Sequence, residues 1–221
     1  MKTDAELQQH VMSELKWEPT IQEAEIGVAV KNGVVTLSGS VDTYGKKLAA
    51  DRAAKRIFGV KAVTDEIKVK LADSYKRPDK DIAQSATNIL EWNYWLPRDR
   101  VKVKVQAGRI TLSGDVDWYF QKERAEDAVR HLIGVLGVIN SITIKPAVPV
   151  KAVEVKNRIE DALKRNARLL LAAQKIQVES SGSKVILRGS VGSWADYEEA
   201  EYAAYCAPGV SQVENKLAVT G

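Results

Sequence analysis

The stretch GVVTLSGSVD, residues 33–42, occurs three times along the chain in related forms. The other copies are GRITLSGDVD at 108–117 and SKVILRGSVG at 183–192, so consecutive copies begin 75 residues apart. A second set of glycines, each followed by valine, keeps the same spacing: Gly59, Gly134 and Gly209. Because this period is too long for most solenoid modules, each copy corresponds to one compact unit. The 221-residue chain therefore contains three tandem repeats.

Proline-bearing, weakly patterned stretches separate the copies. ADSYKRPD at 72–79 and KPAVPV at 145–150 are typical of linkers. These breaks predict repeats at 1–71, 79–145 and 151–221, with linkers at 72–78 and 146–150.

The first repeat opens with a helical pattern. Thr3 and Glu6 have capping-box spacing, and apolar residues follow at helical steps. Alternating apolar residues then predict two strands, which Asn32-Gly33 joins through a tight turn that needs positive φ. The other two repeats show the same alternation of period.

After Gly39 the pattern becomes helical again, with a narrow stripe of small residues at 50, 53 and 54 that lets a helix approach a sheet closely. A last strand follows, and the second helix should be a right-handed crossover between parallel strands. The predicted fold class is α+β. Each of the three tandem α-β-β-α-β repeats should form a small three-stranded mixed sheet covered by two helices.

The pattern V-x-L-x-G-x-V, followed by an alanine-rich helix and G-V-x-x-V, resembles the BON domain, a family named for a bacterial osmotically inducible protein and for nodulation proteins. The resemblance covers nearly all of the chain, three times over. LKW (15–17), LEW (90–92) and VDWYFQ (116–121) are similar to segments of three-BON bacterial proteins that lack a signal peptide. The third repeat departs from the pattern, with LKR at 163–165. The resemblance implies binding to anionic phospholipids, in an osmotic or envelope-stress setting.

The middle repeat is rich in aromatic residues. Trp92 aligns with Trp17 at the end of the first helix, and this repetition between copies predicts core packing. Tyr94 and Trp95 align with proline and threonine at 19–20, so the fold does not need them. They are candidates for a contact surface or for partial burial between repeats.

Two further aromatics, Trp118 and Phe120, precede the second helix of the same repeat without counterparts elsewhere. Arg100, Lys102 and Lys104 alternate with valines, as on the solvated side of a strand. Trp and Tyr favour lipid headgroups, and nearby cations favour an anionic leaflet. The predicted lipid- or partner-binding residues are Tyr94, Trp95, Arg98, Arg100, Trp118, Phe120 and Lys122.

Enzymatic activity has little support in the sequence. The chain has only two histidines, His10 and His131, and they do not match between repeats. Cys206, the single cysteine, is predicted to be a small buried hydrophobe. No zinc-spaced cluster or phosphate-cradling glycine loop occurs. We therefore expect no enzymatic activity, no cofactor and no metal.

Nucleic-acid binding is also not expected. The net charge of +4, from 33 basic and 29 acidic residues, is too small for a strong attractive field. GVLG at 134–137 matches the G-x-x-G of KH domains, but it lies between a predicted helix and strand instead of between two helices.

Two questions stay open at this stage. The first residues turn polar at once, so we expect a cytoplasmic chain, or a periplasmic one if a leader was removed. The alternative to membrane binding is a protein–protein scaffold or self-assembling repeat protein that uses exposed aromatic patches and sheet edges.

Overall fold

The computed structural model describes residues 2–21, 26–146, 152–169 and 172–220. Over these residues the order helix–strand–strand–helix–strand occurs three times, which confirms the predicted α+β class. The first and third repeats fall mainly in one compact unit, and the second repeat falls mainly in another. Most of the predicted linker 146–150 lies outside the described residues.

The first repeat begins with the predicted capping box, because Thr3 Oγ1 accepts from the Glu6 N–H and Glu6 Oε2 accepts from the Thr3 N–H at 2.8 Å. The turn at Asn32-Gly33 has the expected positive φ values of 54° and 79°. The Asp4 carboxylate accepts both turn N–H groups, at 2.7 and 2.9 Å, and so ties the helix start to the hairpin. The elements are α1 (Asp4–Trp17), β1 (Ile26–Lys31), β2 (Val34–Val41), α2 (Tyr44–Lys55) and β3 (Ala62–Val69).

The second repeat follows a 3-10 turn at Asp73–Tyr75 in the predicted linker. Asp79 repeats the role of Asp4, accepting from the Ala107 and Gly108 N–H groups at 2.7 and 2.8 Å. The elements are α3 (Asp79–Glu91), β4 (Val101–Gln106), β5 (Arg109–Val116), α4 (Tyr119–Val129), β6 (Gly137–Asn140) and β7 (Thr143–Ile144).

In the third repeat Ala152 occupies the first position of the first helix, where the other repeats have Asp4 and Asp79, so no carboxylate there can accept the N–H groups of the hairpin turn. Its loop to the strand pair contains a 3-10 turn at Ala173–Lys175. The elements are α5 (Ala152–Arg165), β8 (Ile176–Ser181), β9 (Lys184–Val191), α6 (Trp194–Tyr205) and β10 (Gln212–Val219).

Each sheet has the second strand of its repeat in the middle. The first two strands pair antiparallel in all three repeats, and the last strand runs parallel to the middle one in the second and third repeats. The middle strands bury alternate apolar side chains, so one sheet face carries the core and the other stays open. The fully buried leucines of that core row are Leu37, Leu112 and Leu187.

A polar residue in the last strand of each repeat accepts the N–H group two residues later: Asp65 from Ile67, Asn140 from Ile142 and Asn215 from Leu217. Asn140 and Asn215 also donate through Nδ2 to carbonyls of the second helix, those of Lys122 at 2.9 Å and Tyr197 at 3.1 Å. In the second repeat the strand is interrupted directly after Asn140, which is why β6 and β7 are separate. The asparagine side chain at this position thus ties the second helix to the sheet in the second and third repeats.

The predicted burial of Cys206 is wrong. Helix α6 ends at Tyr205, and Cys206 is its exposed C-cap residue. The buried face of this helix contains Ala200 and Ala204. Cys206 comes two positions after Ala204, which turns it about 200° away from that face.

The inner glycine of the second and of the third repeat is required by a close backbone approach. Gly114 has φ of 113°, and a Cβ atom there would collide with the Arg100 carbonyl oxygen. Gly189 is in the same situation, with φ of 122° and the Lys175 carbonyl oxygen in the way. In the second and third repeats the residue before the first strand therefore approaches the middle strand this closely only because a glycine lies there.

Replacing Gly114 with alanine should strongly destabilise the second repeat, by about 3 kcal/mol or more, because strain at positive φ adds to a clash with backbone. Gly182→Ala is the matched control: its φ is also positive, at 60°, but no atom lies within 4 Å of the added Cβ. Thermal unfolding followed by circular dichroism measures both. Equal losses for the two variants would contradict the close approach at Gly114.

Candidate functional site

Three aromatic side chains from two distant segments meet at one end of the second repeat. Tyr94 and Trp95 come from the loop after α3, and Phe120 comes from the first turn of α4. The ring centroids of Tyr94 and Trp95 are 5.5 Å apart, and those of Trp95 and Phe120 are 5.9 Å apart, both edge-on. We call these three residues the aromatic cluster. Such edge-on pairs contribute about 0.5–1.5 kcal/mol each beyond area burial.

The loop that carries this cluster is held at its backbone. The Trp95 N–H donates to Asn93 Oδ1 at 3.1 Å, and the Trp95 carbonyl accepts from Gln121 Nε2 at 3.0 Å. Gln121 Oε1 also accepts the N–H of Trp118, the N-cap residue of α4. Leu96 is buried directly beyond the cluster. A buried leucine and a glutamine bridge thus hold the aromatic rings at the surface.

The aromatic side chains are strongly exposed. Tyr94 is 90% exposed, Trp95 56% and Trp118 41%. Trp92, the C-cap residue of α3, is 89% exposed. Exposed large aromatic groups of this number are costly in water, which makes this loop the candidate site of the chain.

The prediction that Trp92 packs in the core is therefore wrong, and so is the same prediction for Trp17, which is 83% exposed. The buried residues of α3 end at Leu90, and those of α1 end at Leu15. Each tryptophan follows its leucine by two positions, about 200° around the helix, and so points away from the sheet. The tryptophan recurs in two copies at the same place, the end of the first helix, but that place is exposed in both copies.

The cations predicted for the site differ in their partners. Arg98 is exposed and Lys122 half-buried, and neither forms an ion pair within the described part of the chain. Arg100 donates to Asp115 at 2.6 Å and to Asp117 at 3.0 Å. These hydrogen bonds hold the pKa of the Asp115 carboxyl below its ordinary value. Two carboxylates offset the charge of Arg100, which adds little to the basic character of the surface.

The pairing of Arg100 was missed in the sequence, although the hairpin register contains the signal. Val101 faces Gly114 across the ladder, which places Arg100 opposite Asp115. Counting outward from the Ala107-Gly108 turn would have found this cross-strand pair.

Next to the cluster is an open groove of about 900 Å³, a second feature that the sequence did not predict. The end of α3, the following loop and the start of β4 form its walls. Its lining residues are Thr87, Leu90, Glu91, Trp92, Leu96, Pro97, Arg98, Asp99, Val101, Lys102 and Val103. About half of this lining is apolar, and its charged residues are two cations, Arg98 and Lys102, and two carboxylates, Glu91 and Asp99.

Comparison with known proteins decides the family. The family model of the BON domain matches residues 3–70, 78–146 and 152–221. The chain belongs to the BON domain family. It is 32% identical over 131 residues to the osmotically-inducible protein Y of Escherichia coli strain K12, in an alignment that covers 57% of this chain and 64% of that relative. The aligned part is less than two thirds of the relative's length.

Solved structures add little. Two structures of CdsD, a structural protein of the type III secretion system of Chlamydia trachomatis, are each 14% identical to this chain, with TM-scores of 0.26 and 0.24. The alignments cover 100% of both chains in the first case, and 96% of this chain and 91% of the other in the second. The PrgH periplasmic domain is 10% identical over 89% of this chain and 96% of its own, with a TM-score of 0.21. Scores this low establish no shared overall fold.

The open sheet faces of the BON repeats differ in charge. In the third repeat Glu214 accepts from Lys184 at 2.8 Å and from Lys216 at 2.6 Å, and these lysines lower the pKa of Glu214 to about 2. In the second repeat Lys102 and Lys104 are exposed without an ion-pair partner among the described residues. The open sheet face of the second BON repeat therefore presents positive charge, whereas on the third repeat a carboxylate offsets the charge of the lysines.

Other features of the chain bear on catalysis and on membrane insertion. His10 Nδ1 lies 3.0 Å from Lys2 Nζ, and His131 Nε2 lies 3.2 Å from Arg130 Nε. Among the described residues no group of three or more His, Cys, Asp or Glu side chains is placed to hold a metal ion. In the same part of the chain no helix is both long and apolar enough to cross a membrane.

A double-mutant cycle on Trp95→Ala and Phe120→Ala should give a coupling of about 0.5–1.5 kcal/mol, because the two rings are in edge-on contact. Urea unfolding followed by circular dichroism measures it. The control cycle pairs Phe120 with Trp92, whose ring contacts no other aromatic ring among the described residues, and its coupling should stay below about 0.5 kcal/mol. Equal couplings in both cycles would show that no specific cluster exists.

Proposed function

We propose that this chain is a non-enzymatic binding module whose second BON repeat associates weakly with anionic phospholipid membrane surfaces. The observation that carries the proposal is a set of exposed aromatics beside Arg98, which has no ion pair among the described residues; the aromatics are Trp92, Tyr94, Trp95 and Trp118. Tryptophan and tyrosine prefer the headgroup region, where an apolar ring and a polar edge are both accommodated. Each nearby cation adds about 1 kcal/mol against an anionic leaflet.

The association should be weak and peripheral. The net charge of the chain is only +4, and ion pairs offset many cations, Arg100 among them. The helices carry their apolar residues toward the sheets, so contact with lipid would involve the loop at 92–98 and the start of α4. A surface of this size supports a reversible contact rather than insertion.

The biological setting proposed is osmotic or envelope stress. It comes from the family and from the relative named as osmotically inducible. The proposal allows either a cytoplasmic or a periplasmic location, because membrane binding by this surface needs only an anionic leaflet. A binding role is preferred to catalysis because the hydrogen-bond partner of each histidine is a basic side chain, Lys2 for His10 and Arg130 for His131, which cannot orient a general base as a carboxylate does.

The test is co-sedimentation with neutral and with anionic phospholipid vesicles, each at low and at physiological salt. We expect binding to anionic vesicles only, weakened by salt because surface charges are screened. Tyr94→Ala combined with Trp95→Ala should reduce binding about tenfold or more, since two rings leave the headgroup region. Arg98→Ala should reduce it about fivefold.

Two control variants match these changes. Trp17→Ala removes an equally exposed tryptophan from the first repeat, which has no aromatic cluster, and Arg188→Ala removes a cation that Glu179 already neutralises at 3.1 Å. Both should bind vesicles as the unaltered chain does. Absence of binding under every condition, or equal binding to neutral vesicles, would contradict the proposal and favour a protein-scaffold role.

A further inference from the structure

Strand β4 is an outer strand of its sheet and pairs with β5 on one side only. The residue pair of β4 and β5 that lies next to the tight turn is Gln106 with Arg109. The pair that closes a two-residue turn is hydrogen-bonded, and bonded and non-bonded pairs then alternate along an antiparallel ladder. The valines of β4 fall on the non-bonded positions. The N–H and C=O groups of Val101, Val103 and Val105 therefore point outward, away from β5.

The first repeat supports this register independently. Val28 occupies the position of Val103, and its carbonyl accepts a hydrogen bond from Gln8 Nε2 of α1 at 2.8 Å, so this carbonyl faces outward. The residue of the second repeat that corresponds to Gln8 is Ala83, which has no donor. Among the described residues nothing bonds the outward groups of β4. The first repeat closes its edge at this point and the second leaves it open.

The groove of about 900 Å³ runs beside this free edge, with Val101 and Val103 in its wall. Leu90 and Leu96 supply further apolar surface on the helix side. A strand added to β4 would direct every second side chain into this groove. Strand addition of this kind takes its affinity from backbone hydrogen bonds and its selectivity from pockets for alternate side chains.

The positive charge on β4 determines which kind of strand can pair with it. Lys102 and Lys104 lie on the open face of β4, exposed and without ion pairs among the described residues. A second copy of β4 pairing antiparallel would bring these lysines against their own counterparts, and like charges on neighbouring strands are destabilising. The corresponding residues of β8 are Gln177 and Glu179. An incoming strand for β4 should therefore carry carboxylates on the open face.

We infer that the free edge of β4 binds an extended acidic peptide segment of a partner protein. The segment adds as a fourth main strand, with apolar side chains in the groove and carboxylates beside Lys102 and Lys104. This surface adjoins the one proposed for membranes and shares Trp92 and Arg98 with it, but the edge of β4 and its two lysines are separate from Tyr94 and Trp95. The two functions can therefore fail separately.

Fluorescence anisotropy of the full chain with a labelled octapeptide of alternating valine and glutamate tests the inference. The peptide should bind the unaltered chain. Lys102→Glu combined with Lys104→Glu should weaken this binding about tenfold or more and create binding of the valine–lysine octapeptide. Gln177→Glu in β8 is the matched control on another edge strand and should change neither. Circular dichroism checks that each variant is folded.

A second probe separates strand addition from simple charge attraction. The same valine–glutamate peptide, N-methylated at alternate residues so that one edge cannot donate, should bind at least about tenfold more weakly. Equal binding of the methylated peptide, or no binding of the parent peptide, overturns the inference.

Vesicle binding measured on the same variants keeps the two proposals apart. The Tyr94→Ala, Trp95→Ala variant should lose vesicles and keep the peptide. Loss of vesicle binding in the lysine variant, with no peptide binding by the unaltered chain, would assign the lysines to the membrane surface and overturn the peptide site.

Discussion

Each repeat covers only one face of its sheet with helices, and this constraint determines where everything else can lie. A middle strand flanked on both sides must bury alternate residues, such as Leu112 and Val116, under the two helices. The opposite side chains, such as Thr111 and Ser113, are left on a half-exposed face. A unit of about 70 residues has too few residues to cover that face as well. Faces, edges and loops are therefore the parts in which the three copies can differ.

The copies use this freedom differently. On the open face of the third repeat, Glu214 pairs with Lys184 of the neighbouring strand and with Lys216 of its own strand. The second repeat pairs Arg100 with two carboxylates, whereas its Lys102 and Lys104 have no ion pair among the described residues. The same backbone thus supports a neutralised surface in one copy and a basic, aromatic one in another. Function in such a chain follows side-chain placement rather than fold.

Polar contacts recur at matching positions in two of the three copies, beside the apolar core that recurs in all three. The carboxylates of Asp4 and Asp79 hold the hairpin turns, and Asn140 and Asn215 hold the second helices. These contacts join elements that are distant along the chain. These polar contacts fix how each helix lies on its sheet, whereas the apolar stripes determine which faces of helix and sheet pack together.

Much of the fold could be read from local patterns. Period 2 and period 3.6 distinguished strands from helices, and the Asn32-Gly33 turn and the Thr3 capping box were correct because both depend on neighbours within a few residues. Burial of single residues at helix ends was not predictable in this way. Trp92 and Cys206 each follow the last buried residue by two positions, and a repeat alignment does not measure rotation about the helix.

The candidate site shows the same division. Its residue types were evident from the sequence, since Tyr94, Trp95 and Phe120 have no aromatic counterparts in the other copies. That Phe120 meets Trp95, that Arg100 is held by two carboxylates, and that the edge of β4 is open were decided by the tertiary structure. The sequence by itself determined three repeats, their element order and their buried stripes, because these arise from periodicity along the chain. Only the tertiary structure decided which surface groups are neighbours, because those contacts join residues from separate elements whose distance depends on how helix and sheet pack.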